Sequence, residues 1–319
     1  VDVTTLTVGN TVANVAFTGN GSSVTNAVAF ANDGTLILGT SGGTQTYNGG
    51  LTTTSVGGTV TLNGTIATSD DAIVLGAVTL ASATTINTNS TTTNRADITI
   101  AAITGGSNTL TLTTENNVTG ADVTASGNIS GVTTLTLASV GGTATLSADV
   151  DVTTLTVGNT VANVAFTGNG SSVANSFTPD NDGTFIFGAS GGTQTYNGGL
   201  TTTSVDGTVT LNGTIKTSND AVVLGAVTLG SATTVDTNAS SNAADITIAA
   251  ITGGSNNLTL STGNNITGAD ITVSGAIGGL GNLTLAGVGG TATFSNNVAA
   301  AALSAANTVA NIIFTGSTN

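Results

Sequence analysis

The 319-residue sequence contains no cysteine, histidine, tryptophan or methionine, and only one proline, Pro179. Without cysteine there are neither disulfide bonds nor thiolate metal sites, and catalytic triads that depend on histidine or cysteine are excluded. The sequence has no 18-residue apolar run and no basic, hydrophobic signal segment. It therefore predicts neither a membrane-spanning helix nor a targeting segment within these residues.

Charge is scarce and predominantly negative. Charged residues make up 6% of the chain, and the formal net charge is −14, with Arg95 and Lys216 as the only cations. Binding to nucleic acid or to anionic membranes requires clustered lysine and arginine, so neither partner is expected. Disorder is not expected either, because the chain is dense in valine, isoleucine and threonine, which favour β-strands.

A long internal repeat is the main feature that is present. Residues Val1–Val24 recur without a change at Val150–Val173, an offset of 149 residues, and a third copy begins near residue 298. We predict repeat units at 1–149, 150–297 and 298–319, joined into one continuous solenoid without linkers. A fixed period of this kind is typical of an array rather than of an enzyme built around one pocket.

Within each repeat, apolar residues alternate with threonine or aspartate, as in TLTV and DITI, and glycine-rich turns separate the segments. This pattern predicts short strands and almost no helix. Equivalent strand positions recur at Leu112, Leu137 and Val157, and again at Leu260 and Leu285. Their spacing predicts an all-β, parallel β-helix (β-solenoid) with coils of about 20–25 residues, three strands in each coil and about six or seven coils in each repeat. Tandem β-sandwiches are the main alternative, but they would require linkers and an aromatic-rich core.

The two repeats differ at a few places. Leu36 and Leu38 become Phe185 and Phe187, which indicates core positions whose volume changes. Phe30-Ala31 becomes Pro179-Asp180, and we assign this change to a loop. A one-residue deletion in the second repeat falls in a threonine- and asparagine-rich segment between 86 and 100.

Three segments carry a resemblance to a known family: GGTQTYNGGLTTTSVGGTVTLNG at Gly42–Gly64, DAIVLGAVTLASATTI at Asp71–Ile86 and ADITIAAITGGSNTLTL at Ala96–Leu112. They resemble the repeat region of filamentous-haemagglutinin-like giant surface proteins of bacteria, and the likeness covers essentially the whole chain. It implies a right-handed β-helix, export to the bacterial cell surface and, often, adhesion.

Pairs of carboxylates are the first candidates for chemistry, because β-helices also host polysaccharide lyases and hydrolases. The pairs are Asp149 with Asp151, Asp70 with Asp71, and Asp180 with Asp182. A glycosidase would need such groups at a defined separation in a cleft, but Asp70 becomes Asn219 in the second repeat. Sugar sites also commonly present aromatic platforms, and the only two tyrosines are Tyr47 and Tyr196. We therefore predict no catalytic residues.

Other site types were weighed in the same way. NDGT at Asn32–Thr35 and DNDGT at Asp180–Thr184 superficially resemble calcium loops but lack the spaced ligands of an EF-hand, so tight turns explain them better and only incidental Ca²⁺ binding is left open. Recurrent threonines could form an ice-binding face, although variable coil length argues against aligned threonines. Glycosylation sequons occur at Asn20, Asn63, Asn89 and Asn265.

The sequence thus predicts a non-catalytic structural segment of a long bacterial extracellular fibre, stalk or surface filament. No cofactor, metal, nucleic acid or membrane insertion is expected. The expected partners are copies of the chain stacked end to end, or flanking repeats of a longer chain. The competing hypothesis is an adhesin that binds a receptor or glycan through loops such as Phe177–Asp182. An ice-binding face and a polysaccharide-cleaving β-helix are the less favoured alternatives.

Overall fold

A computed structural model describes residues 1–91 and 94–316. The fold is an all-β, right-handed parallel β-helix of about 15 turns, with 54% of the residues in strands and no helix among those described. The predicted fold class is confirmed, and the tandem β-sandwich alternative is wrong. The chain divides into two compact units, unit 1 at Val1–Ala165 and unit 2 at Phe166–Asn319.

The strands are short where coils turn sharply and long where one strand continues around a corner. The first fifteen strands are β1 Asp2–Val3, β2 Val15–Phe17, β3 Ser22–Val24, β4 Val28–Ala29, β5 Leu36–Leu38, β6 Thr44–Tyr47, β7 Leu51–Thr52, β8 Val60–Ala67, β9 Ile73–Asn87, β10 Ile98–Thr113, β11 Val123–Ala125, β12 Ile129–Ala138, β13 Thr143–Leu146, β14 Val150–Val157 and β15 Asn163–Phe166. The remaining strands are β16 Ser172–Val173, β17 Phe185–Phe187, β18 Thr193–Tyr196, β19 Leu200–Thr201, β20 Val209–Thr217, β21 Val222–Ala239, β22 Ile246–Thr252, β23 Leu258–Gly263, β24 Ile271–Val273, β25 Ile277–Ala286, β26 Thr291–Phe294, β27 Val298–Ala305 and β28 Asn311–Phe314.

In unit 1 the strands stack into three parallel faces, and each face contributes an inward column of mostly apolar side chains. Face A carries Val15, Leu36, Val60, Val78, Ile103, Ile129 and Val150, each paired with the next. Face B carries Gln45, Ile66, Ile86, Leu112, Leu137 and Val157. Face C carries Val28, Leu51, Ile73, Ile98, Val123 and Ala144. No single coil can bury its own column, so each column is buried only where neighbouring coils stack on it.

The coil spacing read from the sequence is confirmed. Leu112 pairs with Leu137, Leu137 with Val157 and Leu260 with Leu285. The full range is slightly wider than predicted, because the coil that joins Val60 to its partner Val78 is shorter and the coil that joins Ile103 to Ile129 is longer. The difference in length lies at corners, since the paired strands on either side remain in register.

The sequence repeat is not a whole number of turns. Val15 lies on face A, whereas its copy Val164 lies in β15, which pairs with β13 on face C. Between Val15 and Val28 the chain runs from face A through face B to face C, which is two-thirds of a turn. Six successive pairings along face C, each one full turn, then lead from Val28 to β15. One repeat therefore makes about six and two-thirds turns, within the predicted six or seven.

The two repeats place a core phenylalanine at different positions. Phe30 lies in the loop between β4 and β5, as predicted, but it is fully buried and meets the ring of Tyr47 edge-on at 6.3 Å. The second repeat replaces Phe30 by Pro179, which is also buried, and replaces Val28 by Phe177. The Phe177 ring stacks on Tyr196 at 5.7 Å. An aromatic side chain is therefore retained against the equivalent tyrosine, although it comes from a different position.

The one-residue deletion was predicted in a segment that includes residues 92 and 93, which lie outside the described residues. On both sides of it the ladders hold, since Ile86 pairs with Leu112 and Ile98 with Val123. The copies of these pairs are also in register: Val235 with Leu260, and Ile246 with Ile271. The stack of strands is thus independent of the length of this segment.

Candidate functional site

The acidic side chains considered for catalysis lie at strand ends and corners. Asp149 is half-buried and Asp151 is exposed, and Asp151 pairs with Ser130 on face A. Asp180 and Asp182 are both exposed, on either side of the fully buried Asn181.

Several aspartates instead hold one coil to the next. The Asp97 carboxylate accepts a hydrogen bond from the amide N–H of Asp122 at 2.8 Å, and Asp122 accepts one from Thr143 at 2.7 Å. Asp270 repeats the contact with Thr291 at 2.6 Å. A corner amide has no strand partner, so the side-chain oxygen supplies the acceptor that it needs. The side chains of Asp97, Asp122 and Asp270 therefore have a structural role between coils.

The pair Asp70 and Asn219 shows that such corners need an oxygen acceptor rather than a charge. Asp70 accepts a hydrogen bond from the amide N–H of Thr91 at 2.6 Å, and Asn219 accepts one from the amide of Ser240 at 2.5 Å. Both residues have a positive φ, 73° and 68°, which asparagine and aspartate tolerate better than most residues. The second repeat keeps this hydrogen bond with a carboxamide, so the contact does not require a group that can transfer a proton.

In each of the two loops that resemble calcium sites, a buried asparagine side chain closes a turn by hydrogen bonds to backbone carbonyls. Asn32 is fully buried, and its side-chain amide donates to the carbonyl oxygens of Gly34 and Thr35, both at 2.9 Å. Asn181 makes the same contacts with Gly183 and Thr184. The neighbouring carboxylates, Asp33 and Asp182, are exposed, so they do not converge with the buried amide. Residues 1–91 and 94–316 hold no group of three or more His, Cys, Asp or Glu side chains that could bind a metal ion.

A buried polar clamp was missed in the sequence analysis. The Gln45 side-chain amide donates to the carbonyl of Phe17 at 2.5 Å, while its oxygen accepts from the amide of Gly39 at 3.0 Å and from the Tyr47 hydroxyl at 2.9 Å. Gly39 has φ 80°, and a Cβ there would overlap the carbonyl oxygen of Asn63. The signal was the motif TQTY, which places an amide and a phenol on the inward side of one strand.

The second repeat preserves this clamp. Gln194 donates to the carbonyl of Phe166 at 2.8 Å, and the Tyr196 hydroxyl donates to the Gln194 oxygen at 2.9 Å. Burial raises the pKa of both tyrosines above the ordinary 10.0. Because Tyr47 and Tyr196 are at most 1% exposed, neither provides a platform for a sugar. The loop considered for an adhesin begins at Phe177, which is also buried.

The threonine ladders are better aligned than the sequence analysis expected. Variable coil length was expected to put threonines out of line, yet on face B six successive coils place a threonine at the same outward position. The expectation was wrong because the length differences are absorbed at the corners.

The four predicted glycosylation sequons differ in exposure. Asn20 and Asn265 are exposed, whereas Asn63 and Asn89 are half-buried.

The first and last described coils expose apolar side chains that are buried elsewhere. Val1 is 66% exposed and Val12 is 40% exposed, whereas their copies Val150 and Val161 are buried. In the last coil, Val298, Ala300, Leu303 and Phe314 line an open cavity of about 370 Å³. Apolar side chains that are covered inside the stack are thus exposed in these two coils.

No protein-family model, curated protein or solved structure matches this chain. The structure itself identifies a β-helical repeat protein. Within the two described ranges there is no helix with the length and apolar character needed to span a membrane.

Proposed function

We propose that the chain is a non-catalytic structural segment of a long bacterial extracellular fibre, stalk or surface filament, of the kind formed by filamentous-haemagglutinin-like repeats. The continuity of the strand ladders carries this proposal. In unit 1, face A remains paired from Val15 to Val150 while coil length changes. A stack of this kind shares backbone hydrogen bonds along its axis, which suits a load-bearing or spacing role.

The contacts of the acidic and tyrosine side chains support the same role. The corner carboxylates of Asp97, Asp122 and Asp270 accept hydrogen bonds from the next coil, and Tyr47 and Tyr196 are buried in clamps. These hydrogen bonds stabilise the stack of coils, which supports a structural role for the five side chains. An acidic chain without cysteine is consistent with this role at a cell surface.

The partners we propose are further coils, from a second copy of the chain or from flanking repeats of a longer one. The two identical segments Val1–Val24 and Val150–Val173 support this. In the internal segment, Val150 and Val152 are covered by Ile129 and Val132 of the preceding coil. The same side chains are exposed at Val1 and Val3, so a parallel coil from another molecule would restore the cover.

Self-association tests the proposal. Light scattering and electron microscopy of the purified chain should reveal end-to-end assemblies whose abundance rises with concentration. Val12→Asp and Phe314→Asp place charges on the two exposed coils and should abolish assembly. Thr99→Asp, an exposed position on face C, is the matched control and should leave it intact. Monomers at all concentrations, or equal loss with the control, would refute the proposed partners.

A further inference from the structure

The outward side of face B in unit 1 carries an unbroken column of threonines. Successive coils place one threonine beside the next, in register, although these coils differ in length. The column consists of Thr44, Thr65, Thr85, Thr111, Thr136 and Thr156. On face A the corresponding outward column includes Ile37 and Asp151, and on face C it includes Val74. A threonine at every one of these positions is therefore specific to face B.

A second column extends this surface over three coils. Thr109, Thr134 and Thr154 each precede a column threonine by two residues, so they lie on the same side of the strand. Thr134 pairs with Thr154 just as Thr136 pairs with Thr156, whereas the ladder shifts register between Asn108 and Leu110, next to Thr109. Neighbouring strands lie about 4.7–4.9 Å apart, and alternate residues of one strand lie roughly 6.6–6.8 Å apart. The result is a regular grid of methyl and hydroxyl groups on a hydrogen-bonded backbone.

Charge is kept to the edge of this grid. The positions two residues after the column are occupied by Thr46, Ala67, Asn87, Thr113 and Ala138. The charged group in contact with this edge is Glu115, whose carboxylate accepts a hydrogen bond from the Asn87 side-chain amide at 2.8 Å. A charged side chain would hold its own hydration shell and keep a regular surface at a distance.

Unit 2 provides an internal comparison. It retains the column as Thr193, Thr214, Thr234, Thr259, Thr284 and Ser304, again in register. Lys216 and Asp236, however, replace Ala67 and Asn87 beside the column. In the second column, Asn257, Asn282 and Ala302 replace the three threonines. Unit 2 therefore has the ladder without the uncharged two-column grid.

We propose that the two-column threonine grid of unit 1 binds ice. The strand spacing is close to the shortest repeat of the ice lattice, so hydroxyls on successive coils meet equivalent water positions. Each methyl group excludes disordered water, while each hydroxyl can bond to a lattice water. The rigid ladder fixes the threonine backbone before binding and lowers the entropy lost on contact. A crystalline polysaccharide fits less well, because the usual sugar-stacking aromatics, Tyr47 and Tyr196, are buried.

Thermal hysteresis and adsorption to growing ice test this proposal on the full chain. The unmodified protein should adsorb to ice and show hysteresis. Thr111→Glu and Thr136→Glu should abolish both effects, whereas Thr259→Glu and Thr284→Glu, at the same ladder positions in unit 2, should leave them unchanged. Circular dichroism establishes that each variant is folded. Should the glutamate variants fail to fold, Thr111→Val with Thr136→Val keeps the β-branched shape and removes the hydroxyls, and should reduce hysteresis where Thr259→Val with Thr284→Val does not.

Absence of ice adsorption by the unmodified chain would overturn the proposal, as would equal losses in the unit 1 and unit 2 variants. Binding to cellulose or chitin particles without ice adsorption would assign the grid to a different ligand and would also overturn it. The structural role does not depend on this result, because self-association is measured on other residues. Failure of one proposal can therefore be distinguished from failure of the other.

Discussion

Residues 1–24 and 150–173 have the same sequence and different surroundings. Val161 and Phe166 are fully buried, whereas Val12 is 40% exposed and Phe17 is half-buried. The internal segment has a coil before it, with Val150 paired to Ile129. The comparison teaches that a coil of this fold has no core of its own, and that the neighbouring coil determines how much each side chain contributes to stability.

The largest expected effect comes from a charge placed at the same position in both segments. Val161→Asp buries a carboxylate in an apolar column and should lower the free energy of unfolding by roughly 4 kcal/mol or more. Val12→Asp leaves the carboxylate in water and should change it by less than about 0.5 kcal/mol. Urea denaturation of monomeric protein measures both. Equal effects would mean that the preceding coil contributes nothing to the burial of Val161.

Truncating the phenylalanine of each segment should give a smaller difference of the same sign. Phe166 meets Tyr196 edge-on at 6.5 Å and is fully buried, so Phe166→Ala should cost about 3–5 kcal/mol. Phe17→Ala should cost roughly 1–2 kcal/mol, because part of its surface is already in water. Urea denaturation of both variants measures the two losses, and the slopes of the unfolding free energy against urea concentration are compared. A larger loss from Phe17→Ala would contradict it.

The clamps that hold Phe17 and Phe166 should make the fold sensitive to alkali. Burial raises the folded-state pKa of Tyr47 and Tyr196, while in the unfolded chain both ionise near 10.0. The folded state therefore keeps protons that the unfolded state loses, so the contribution of the two tyrosines to stability should be constant well below pH 10 and fall above it. The slope should approach about 1.4 kcal/mol per pH unit for each tyrosine.

Thermal unfolding between pH 8 and pH 12 measures this loss. Tyr47→Phe and Tyr196→Phe should start from a lower stability, because each leaves a buried glutamine oxygen with one partner fewer. Each variant should also lose stability less steeply above pH 10. A pH dependence that is unchanged in the double variant would assign the alkaline loss to other groups.

The smallest effect is expected where the two repeats differ in sequence but make the same hydrogen bond. Asp70→Asn converts the first repeat to the residue that the second repeat has at Asn219, and both accept from the next coil. We expect a change below about 0.5 kcal/mol. Asp70→Ala removes the acceptor and should cost about 1 kcal/mol. Calorimetry at one pH compares the two, and a large loss in Asp70→Asn would show that the charge matters.

The sequence was sufficient to predict the fold because alternation and spacing report directly on parallel stacking. The pairings of Leu112 with Leu137, and of Leu260 with Leu285, are those that the spacing predicted. The burial of Phe30 was not predicted, because its replacement by proline in the second repeat resembles a change in an exposed loop. The compensating replacement of Val28 by Phe177 lies at a neighbouring inward position.

The details of the candidate sites could not be predicted for a related reason. The clamp of Gln45 and Tyr47 depends on carbonyl groups of Phe17 and Gly19, which belong to the preceding coil. The threonine column depends on register, and register is decided by corners whose conformations alternation does not specify. Contacts between coils are long-range in sequence, so a pattern within one coil indicates which side chains point inward without revealing what they meet.

The absorption of length differences at the corners has a consequence for how such a chain can evolve. The short coil from Val60 to Val78 and the long coil from Ile103 to Ile129 both keep their strands in register, so insertions and deletions at corners leave the faces intact. Mutations that change length and mutations that change surface chemistry are therefore nearly independent. Lineages can lengthen, shorten or duplicate such an array while selection acts separately on the side chains of each face.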